Sequence, residues 1–376
     1  MTVAAGRALD EGSEVSMTPN GTMRAAVWHG ARDVRVQEVR TPGAPAPNEV
    51  LVAVDLACLC ASDLAEYRDG PHVIPVRRPH RLSGRVAPLT LGHEFVGRVV
   101  ATGAAVAGLS IGDRVCGDAC LRCGVCFWCR RGEYNICSSG GSIGLHTDGA
   151  FADYLQVPGY TLHRVPDGVD DRAAAVVEPL AVGLHGLRRG RFSAGDSVVV
   201  VGFGMVGAAV ALIASAIGAA RVIVVEASAA RAEAARRAGA TDVLAPGEKL
   251  RSEVLARTEG RGADVVVDCT GREAVLPVSV ELSRRGGRVV ICGLAHEPSA
   301  VRADRLVYFE REVIGSLGYR HDHEAVLGLL AAGKLDVGWL FAPAIKLEDV
   351  VSHGLDAMAG DTGAGWLRIP VAIGGE

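Results

Sequence analysis

The chain has 376 residues, more than one ordinary hydrophobic core accommodates, so its length predicts two domains. Its net charge is −4 and 49% of its residues are apolar, which leaves no basic excess for binding nucleic acid. The sequence shows no secretory signal pattern and no uninterrupted apolar stretch that would span a membrane, so we expect a cytoplasmic globular protein. Residues 1–22 are small, polar and aperiodic, and they are predicted to form a disordered tail.

Residues 23–58 have the pattern of β-strands. Apolar residues alternate or run together in MRAAVWHG, VRVQEVR and VLVAVDLAC, and turn residues separate these segments. No helical period holds here. This part of the chain predicts a small barrel-like β domain ahead of the rest of the protein.

A thiol, an imidazole and a carboxylate follow in two short motifs. Cys60 and Ser62 belong to Cys-Ala-Ser-Asp, and His93 and Glu94 belong to Gly-His-Glu. These side chains are ligand types of a catalytic zinc site, in which three protein ligands leave one position open. Taken singly, each residue also fits a structural role in the core or in an ion pair.

The most specific motif of the chain is a cysteine-rich segment, predicted to form a lobe over residues 116–137. In a chain without a secretion pattern, such a density of cysteines indicates metal binding rather than disulfides. Four thiolates close a tetrahedral zinc site, which makes the site structural. Cys120 continues the three-residue spacing backwards and leaves the register open, while Cys116 is expected to be a spare buried thiol. The four candidate ligands are Cys123, Cys126, Cys129 and Cys137.

Glu178 lies in a segment with a helical pattern from Asp171 to Leu187. Pro179 follows it and has no N–H for a helix hydrogen bond, which predicts a kink. A kink can direct Glu178 into a cleft. The alternative is a solvent-facing acid beside a packing proline.

A dinucleotide-binding fingerprint begins at Ser197. A run of four valines, residues 198–201, predicts a buried parallel strand, and glycines in GxGxxG spacing lead into an apolar helix. The glycines permit a tight turn, the approach of a pyrophosphate and close helix packing, while the helix N-terminus attracts phosphates. The residues expected to contact the cofactor here are Gly202, Gly204, Met205, Val206 and Gly207.

Glu226 ends the second strand of this unit, residues 222–225. A carboxylate at this place accepts hydrogen bonds from the ribose hydroxyls of NAD and repels the 2′-phosphate of NADP. The sequence therefore predicts NAD as the cofactor. Arg231, five residues further on, is the side chain that could in principle receive a phosphate.

Strands and helices continue to alternate, which predicts a doubly wound parallel sheet of the Rossmann type. We expect strands at 265–268, 288–292 and 312–315, and a closing strand near 367–373. Because ligands bind at the carboxyl ends of such strands, four more residues should line the cofactor site. They are Thr270, Gly271, Gly293 and Leu294.

These motifs together resemble the zinc-dependent medium-chain dehydrogenases over residues 23–376. The segment from Tyr67 to Phe95 looks most like the 2,3-butanediol dehydrogenase branch, with sorbitol and threonine dehydrogenases as relatives. The resemblance implies an α/β fold that combines the Rossmann sheet with a split, mainly β, GroES-like catalytic domain carrying a zinc lobe. The implied division is a catalytic domain at 23–184 and 324–376 around an NAD-binding domain at 185–323.

The resemblance also implies roles for individual side chains. Cys60 and His93 match ligands of the catalytic zinc, and either Glu94 or Glu178 completes that site. Ser62 matches the hydroxyl that touches the substrate oxygen. The lobe cysteines match a structural-zinc quartet, so the implied cofactors are NAD and two zinc ions per chain.

One departure from the family concerns proton release. The histidine that often stands five positions after the ligand cysteine is replaced by Ala65. The proton from Ser62 must then leave through water, through a site carboxylate, or through His72 or His80 of the segment that follows.

The implied function is hydride transfer between NAD and a secondary alcohol or ketone, with a vicinal diol or acyloin such as 2,3-butanediol or acetoin as the expected substrate. One alternative is a sugar, cyclitol or other polyol dehydrogenase. Another is a non-catalytic NAD- and zinc-binding protein, which would predict a damaged set of metal ligands. We expect a homo-oligomer, a dimer or a tetramer, because the last strand of the sheet leaves an edge that a second copy can pair.

Overall fold

The computed structural model describes residues 21–295, 297–360 and 366–374. The predicted tail lies outside these residues except at its end. There the prediction is wrong by one residue, since Thr22 already pairs with Arg40 in the first strand.

Strands predominate in the first part of the chain, and strands and helices alternate from about residue 197 onward. The strands are β1 (Thr22–Gly30), β2 (Asp33–Arg40), β3 (Glu49–Cys58), β4 (Leu89–Thr90), β5 (Glu94–Thr102), β6 (Arg114–Gly117), β7 (Cys120–Leu121), β8 (Gly141–Ser142), β9 (Tyr154–Pro158), β10 (Leu162–Arg164), β11 (Ser197–Val201), β12 (Arg221–Val225), β13 (Asp242–Leu244), β14 (Ala263–Asp268), β15 (Ser283–Ile291), β16 (Glu312–Gly315), β17 (Ile345–Lys346) and β18 (Pro370–Ala372). The helices are α1 (Ala61–Asp69), α2 (Phe127–Arg130), α3 (Asp171–Ala175), α4 (Val177–Arg189), α5 (Met205–Ala216), α6 (Ala229–Arg237), α7 (Leu250–Arg257), α8 (Val275–Leu282), α9 (Ala303–Val307), α10 (His323–Ala331) and α11 (Asp356–Ala359). No helix in the described part of the chain is long and apolar enough to cross a membrane.

The predicted doubly wound sheet is confirmed. Six parallel strands lie in the order β13-β12-β11-β14-β15-β16, with the valine-rich strand β11 in the interior of the sheet. Side chains of a strand alternate between faces, so Val198 and Val200 enter one apolar core while Val199 and Val201 enter another. Both faces are buried, which explains the continuous valine run. The short strand β13 was not predicted, because its three residues carry no strong pattern.

A second, mainly antiparallel sheet is built from both ends of the chain. Its order is β10-β6-β5-β3-β18-β17, and β9 pairs along β3 as well. The closing strand β18 pairs antiparallel with β3, so that Val371 lies opposite Ala57. The chain therefore leaves this β-rich unit, forms the six-stranded parallel sheet (the nucleotide sheet) and returns to the β-rich unit. This gives the split arrangement expected of the fold.

The kink expected at Pro179 is found one turn earlier. The segment divides into α3 and α4 at Val176, whose backbone is not helical, with φ −102° and ψ 11°. Pro179 lacks the N–H that would bond to the carbonyl of Ala175 four residues before it, and α3 ends at that residue. The proline itself lies in the first turn of α4, where a missing N–H costs little. Glu178 consequently lies at the start of a helix.

Gly207 is required because α5 approaches the nucleotide loop closely. A Cβ atom at this position would lie 2.0 Å from the carbonyl oxygen of Gly202. We expect Gly207→Ala to lower the free energy of unfolding by about 1–3 kcal/mol, measured by urea denaturation, and to weaken dinucleotide binding. The control is Gly328→Ala on α10, where a Cβ meets no atom within 4 Å and should stabilise by up to about 1 kcal/mol. Equal stability of the two variants would contradict this account of the loop.

Candidate active site and metal clusters

The candidate catalytic residues lie near the end of β3 and the start of β5, which are neighbouring strands of the antiparallel sheet. Cys60 follows β3 and forms the N-cap of α1, and Glu94 begins β5 directly opposite Cys58. This register brings the ligand atoms of Cys60, His93 and Glu94 within 4.8 Å of one another. Thiol, imidazole and carboxylate are the donor types that zinc prefers, so the cluster fits a zinc ion.

Asp63 is a site residue that the sequence analysis missed. Its carboxylate accepts a hydrogen bond from the backbone N–H of Cys60 at 3.0 Å, and its other oxygen lies 3.6 Å from Nδ1 of His93. Both side chains are buried. Burial raises the pKa of Asp63, while the neighbouring imidazole lowers it. At 3.6 Å, Asp63 and Nδ1 of His93 are close but beyond hydrogen-bond distance, and Nε2 is the ring nitrogen with a hydrogen-bond partner, the hydroxyl of Ser62. The three-residue spacing of Cys60 and Asp63, typical of a helix start, could have revealed it.

Glu94 is held by a second missed residue, Arg368. The guanidinium donates to both carboxylate oxygens at 2.8 Å, and both side chains are almost fully buried. Arg368 Nη2 also lies 4.0 Å from Sγ of Cys60. The ion-pair role considered for Glu94 is therefore present together with its place in the candidate metal cluster. No local signal in the sequence identifies Arg368, since 274 residues separate the two partners.

Ser62 contacts this cluster, and the charges of the cluster act on Glu178. The Ser62 hydroxyl lies 3.2 Å from Nε2 of His93, within hydrogen-bond distance. Glu178 is half-buried, and burial raises the pKa of its carboxyl to about 7, with Glu94 adding to the rise and His93 opposing it. Among the described residues, the compact ligand group includes Glu94 rather than Glu178.

The two histidines considered for proton release have partners of their own. His80 contacts the carbonyl of Gly140 through Nε2 at 3.1 Å, and its ring lies 4.6 Å from that of His146. His72 lies 2.8 Å from a carboxylate oxygen of Asp69 on the exposed end of α1.

The lobe brings its four predicted cysteines together. Sγ of Cys123 lies 3.5 Å from that of Cys137 and 4.0 Å from that of Cys129, and Cys126 lies 3.9 Å from Cys137. Four thiolates at 2.3 Å from one zinc ion would lie about 3.8 Å apart, so the spacing fits a tetrahedral site. Backbone N–H groups lower the pKa of Cys126 to about 5, which favours the thiolate. Cys120 lies outside the group, and this fixes the register that spacing left open.

The glycine loop and Glu226 form one hydrogen-bonded unit. Gly202 has φ +87°, a conformation that glycine favours, and Gly204 forms the N-cap of α5. The Glu226 carboxylate accepts hydrogen bonds from the backbone N–H groups of Phe203 at 2.9 Å and Ser228 at 2.7 Å. Arg231 lies 3.3 Å from the same carboxylate. The acid is thus fixed beside the loop that would receive the dinucleotide.

Residues after β14 and β15 adjoin this loop. A Cβ at Gly202 would meet Thr270, and a Cβ at Gly293 would lie 2.1 Å from the backbone nitrogen of Gly271. Leu294 is exposed. The residues predicted at the strand ends are therefore neighbours at the carboxyl edge of the sheet.

The pair of Glu94 and Arg368 should dominate local stability. Removing one partner of a buried ion pair leaves an uncompensated charge, so we expect Arg368→Met to cost about 3–5 kcal/mol in urea unfolding. Arg35→Met is the matched control, because Arg35 pairs with Asp33 in an exposed position and its loss should leave the free energy of unfolding nearly unchanged. Similar losses in the two variants would refute the structural importance of the pair.

Comparison with known proteins agrees with this geometry. The family "Alcohol dehydrogenase GroES-like domain" matches residues 46–167, and the family "Zinc-binding dehydrogenase" matches residues 206–332. The (R,R)-butanediol dehydrogenase of Bacillus subtilis is 34% identical over 339 residues, covering 89% of this chain and 96% of that protein. The sorbitol dehydrogenase of B. subtilis is 31% identical and covers 87% of this chain and 91% of that protein.

Solved structures give the same result. The crystal structure of 2R,3R-butanediol dehydrogenase from B. subtilis matches with a TM-score of 0.88 at 33% identity, over 94% of this chain and 100% of that one. A zinc-binding dehydrogenase from Sinorhizobium meliloti, solved bound to NADP, matches with a TM-score of 0.83 at 29% identity, over 94% of this chain and 99% of that one. The chain therefore belongs to the zinc-dependent medium-chain alcohol dehydrogenases, in the butanediol dehydrogenase branch.

Proposed function

We propose that this dehydrogenase transfers hydride between NAD and a vicinal diol or its acyloin, such as 2,3-butanediol and acetoin. The observation that carries the proposal is the cluster of Cys60, His93 and Glu94 in a chain whose relatives include (R,R)-butanediol dehydrogenases. A sugar or other polyol as substrate is the second candidate, because sorbitol dehydrogenases are also among the relatives.

Cys60, His93 and one of the two carboxylates, Glu94 or Glu178, would hold the catalytic zinc ion. Zinc in such a site supplies Lewis-acid catalysis to the oxidation of an alcohol. Ser62, whose hydroxyl lies 3.2 Å from Nε2 of His93, would relay the proton of the substrate hydroxyl, accepting it while its own hydroxyl proton passes onward. Asp63 lies 3.6 Å from the other ring nitrogen of His93, Nδ1. With Ala65 in place of the usual histidine, Glu178 and water carry the proton outward.

We also propose a second zinc ion in the lobe and an assembly of two or four copies. The Sγ spacing supports the lobe zinc, and the edge strand β16 supports pairing with a second copy. The same thiolates must stay reduced to bind metal, which supports a location in the cytoplasm. The proposed domain boundaries are 23–184 and 324–376 for the catalytic domain, and 185–323 for the NAD-binding domain.

Glu226 is the basis for proposing NAD rather than NADP. Its carboxylate is fixed by Phe203 and Ser228, and it already engages Arg231, the side chain that a 2′-phosphate would need. We expect Glu226→Ala to lower kcat/KM with NAD by about tenfold, since lost ribose contacts cost about 1–3 kcal/mol. The value of kcat/KM with NADP should stay unchanged or rise. Glu233→Ala on α6 is an exposed acid and serves as control. An unchanged preference between the cofactors would refute the role of Glu226.

The substrate is tested on the zinc-loaded protein with the separated stereoisomers of 2,3-butanediol, beside sorbitol, threonine and simple alcohols. We expect NAD reduction to be fastest with one butanediol isomer, and Cys60→Ser or His93→Ala to abolish turnover while NAD still binds. Faster turnover of sorbitol would favour the polyol candidate. Retained turnover in either variant would refute the proposed zinc site.

A further inference from the structure

A third cluster of metal-ligand side chains lies outside the active site and outside the lobe. Ligand atoms of Asp118, His163 and His323 lie within 4.8 Å of one another. Asp118 directly follows β6, His163 is the middle residue of β10, and His323 begins α10. The three residues thus join two strands of the antiparallel sheet to the helix that follows the nucleotide sheet.

The backbone arrangement brings these side chains together independently of any ligand. Strand β10 pairs antiparallel with β6, which places His163 opposite Cys116. Nε2 of His323 lies 3.2 Å from the carbonyl oxygen of Gly117, the last residue of β6. A carbonyl only accepts, so Nε2 of His323 carries the hydrogen and its Nδ1 presents a bare lone pair.

Two nitrogens in this cluster have no partner. Nδ1 of His323 and Nε2 of His163 are both buried without a hydrogen bond among the described residues, and His323 is fully buried. Leaving a buried polar atom unsatisfied costs free energy, so such atoms call for a ligand. One oxygen of Asp118 accepts from the N–H of Cys120, while the other lies 3.7 Å from Arg122, beyond a hydrogen bond.

We propose that Asp118, His163 and His323 bind a divalent transition-metal ion, with zinc as the best fit. Zinc accepts imidazole nitrogens and carboxylate oxygens as ligands, and water can fill a fourth position. The two rings lie parallel, 6° apart with centroids separated by 4.7 Å, so one ring must turn for both lone pairs to reach a shared ion. His163 is the less buried of the two rings, so it is the one that would turn. The bound ion would fasten α10 to the sheet.

The competing explanation is a buried water that bridges the two nitrogens. Measuring metal uptake distinguishes a bound metal ion from such a water. The protein is equilibrated by dialysis against buffered free zinc, and bound zinc is counted by elemental analysis. We expect His163→Gln to bind one zinc equivalent fewer than the parent. His146→Gln is the matched control, because His146 is also a half-buried histidine beside another histidine ring, and it should bind as much as the parent.

A second variant, at His323, tests the same site. His323→Asn removes a fully buried ring that contacts Tyr319 and His163, so its fold is checked first by circular dichroism and thermal melting. If His323→Asn folds, we expect it also to bind one zinc equivalent fewer than the parent. If it does not fold, the zinc uptake of His163→Gln decides alone. Equal zinc uptake by the parent and His163→Gln would overturn the proposal. The outcome is independent of dehydrogenase turnover, because the cluster shares no residue with the proposed catalytic site.

Discussion

The candidate active site depends on the buried ion pair between Glu94 and Arg368. The pair exists only because β18 returns to pair with β3, which places a residue near the end of the chain beside one near its beginning. Two charges removed from water repay their desolvation only when they are paired and hydrogen-bonded, and here both carboxylate oxygens accept from one guanidinium. The return of the chain therefore completes the site as well as the sheet.

Acidic and basic groups lie close together in this site. The carboxylate of Asp63 lies 3.6 Å from the ring of His93, and that of Glu94 is paired with the guanidinium of Arg368. The raised pKa of Glu178 follows first from its burial and then from the charge on Glu94. A thiol, an imidazole and a carboxylate gathered in one place are a ligand set that a divalent zinc ion would bind.

Strand ends position the chemistry in both halves of the molecule. In the antiparallel sheet, the end of β3 and the start of β5 bring Cys60 and Glu94 together. In the parallel sheet, the end of β11 carries the glycine loop and the end of β12 carries Glu226, and a hydrogen bond from Phe203 joins them. Rigid strands hold such groups more exactly in place than free loops do, which suits a reaction that transfers hydride between two bound molecules.

The sequence by itself determined the features that depend on short spacing. The glycine loop, the acid at Glu226 and the cysteines of the lobe lie within single local segments, where turn geometry and ligand chemistry limit the alternatives. Only the tertiary structure decided the partner of Glu94, the position of Asp63 behind His93 and the meeting of Asp118 with His163 and His323. These contacts join residues from about 30 to more than 270 positions apart, and strand pairing and register, which no local pattern encodes, bring them together.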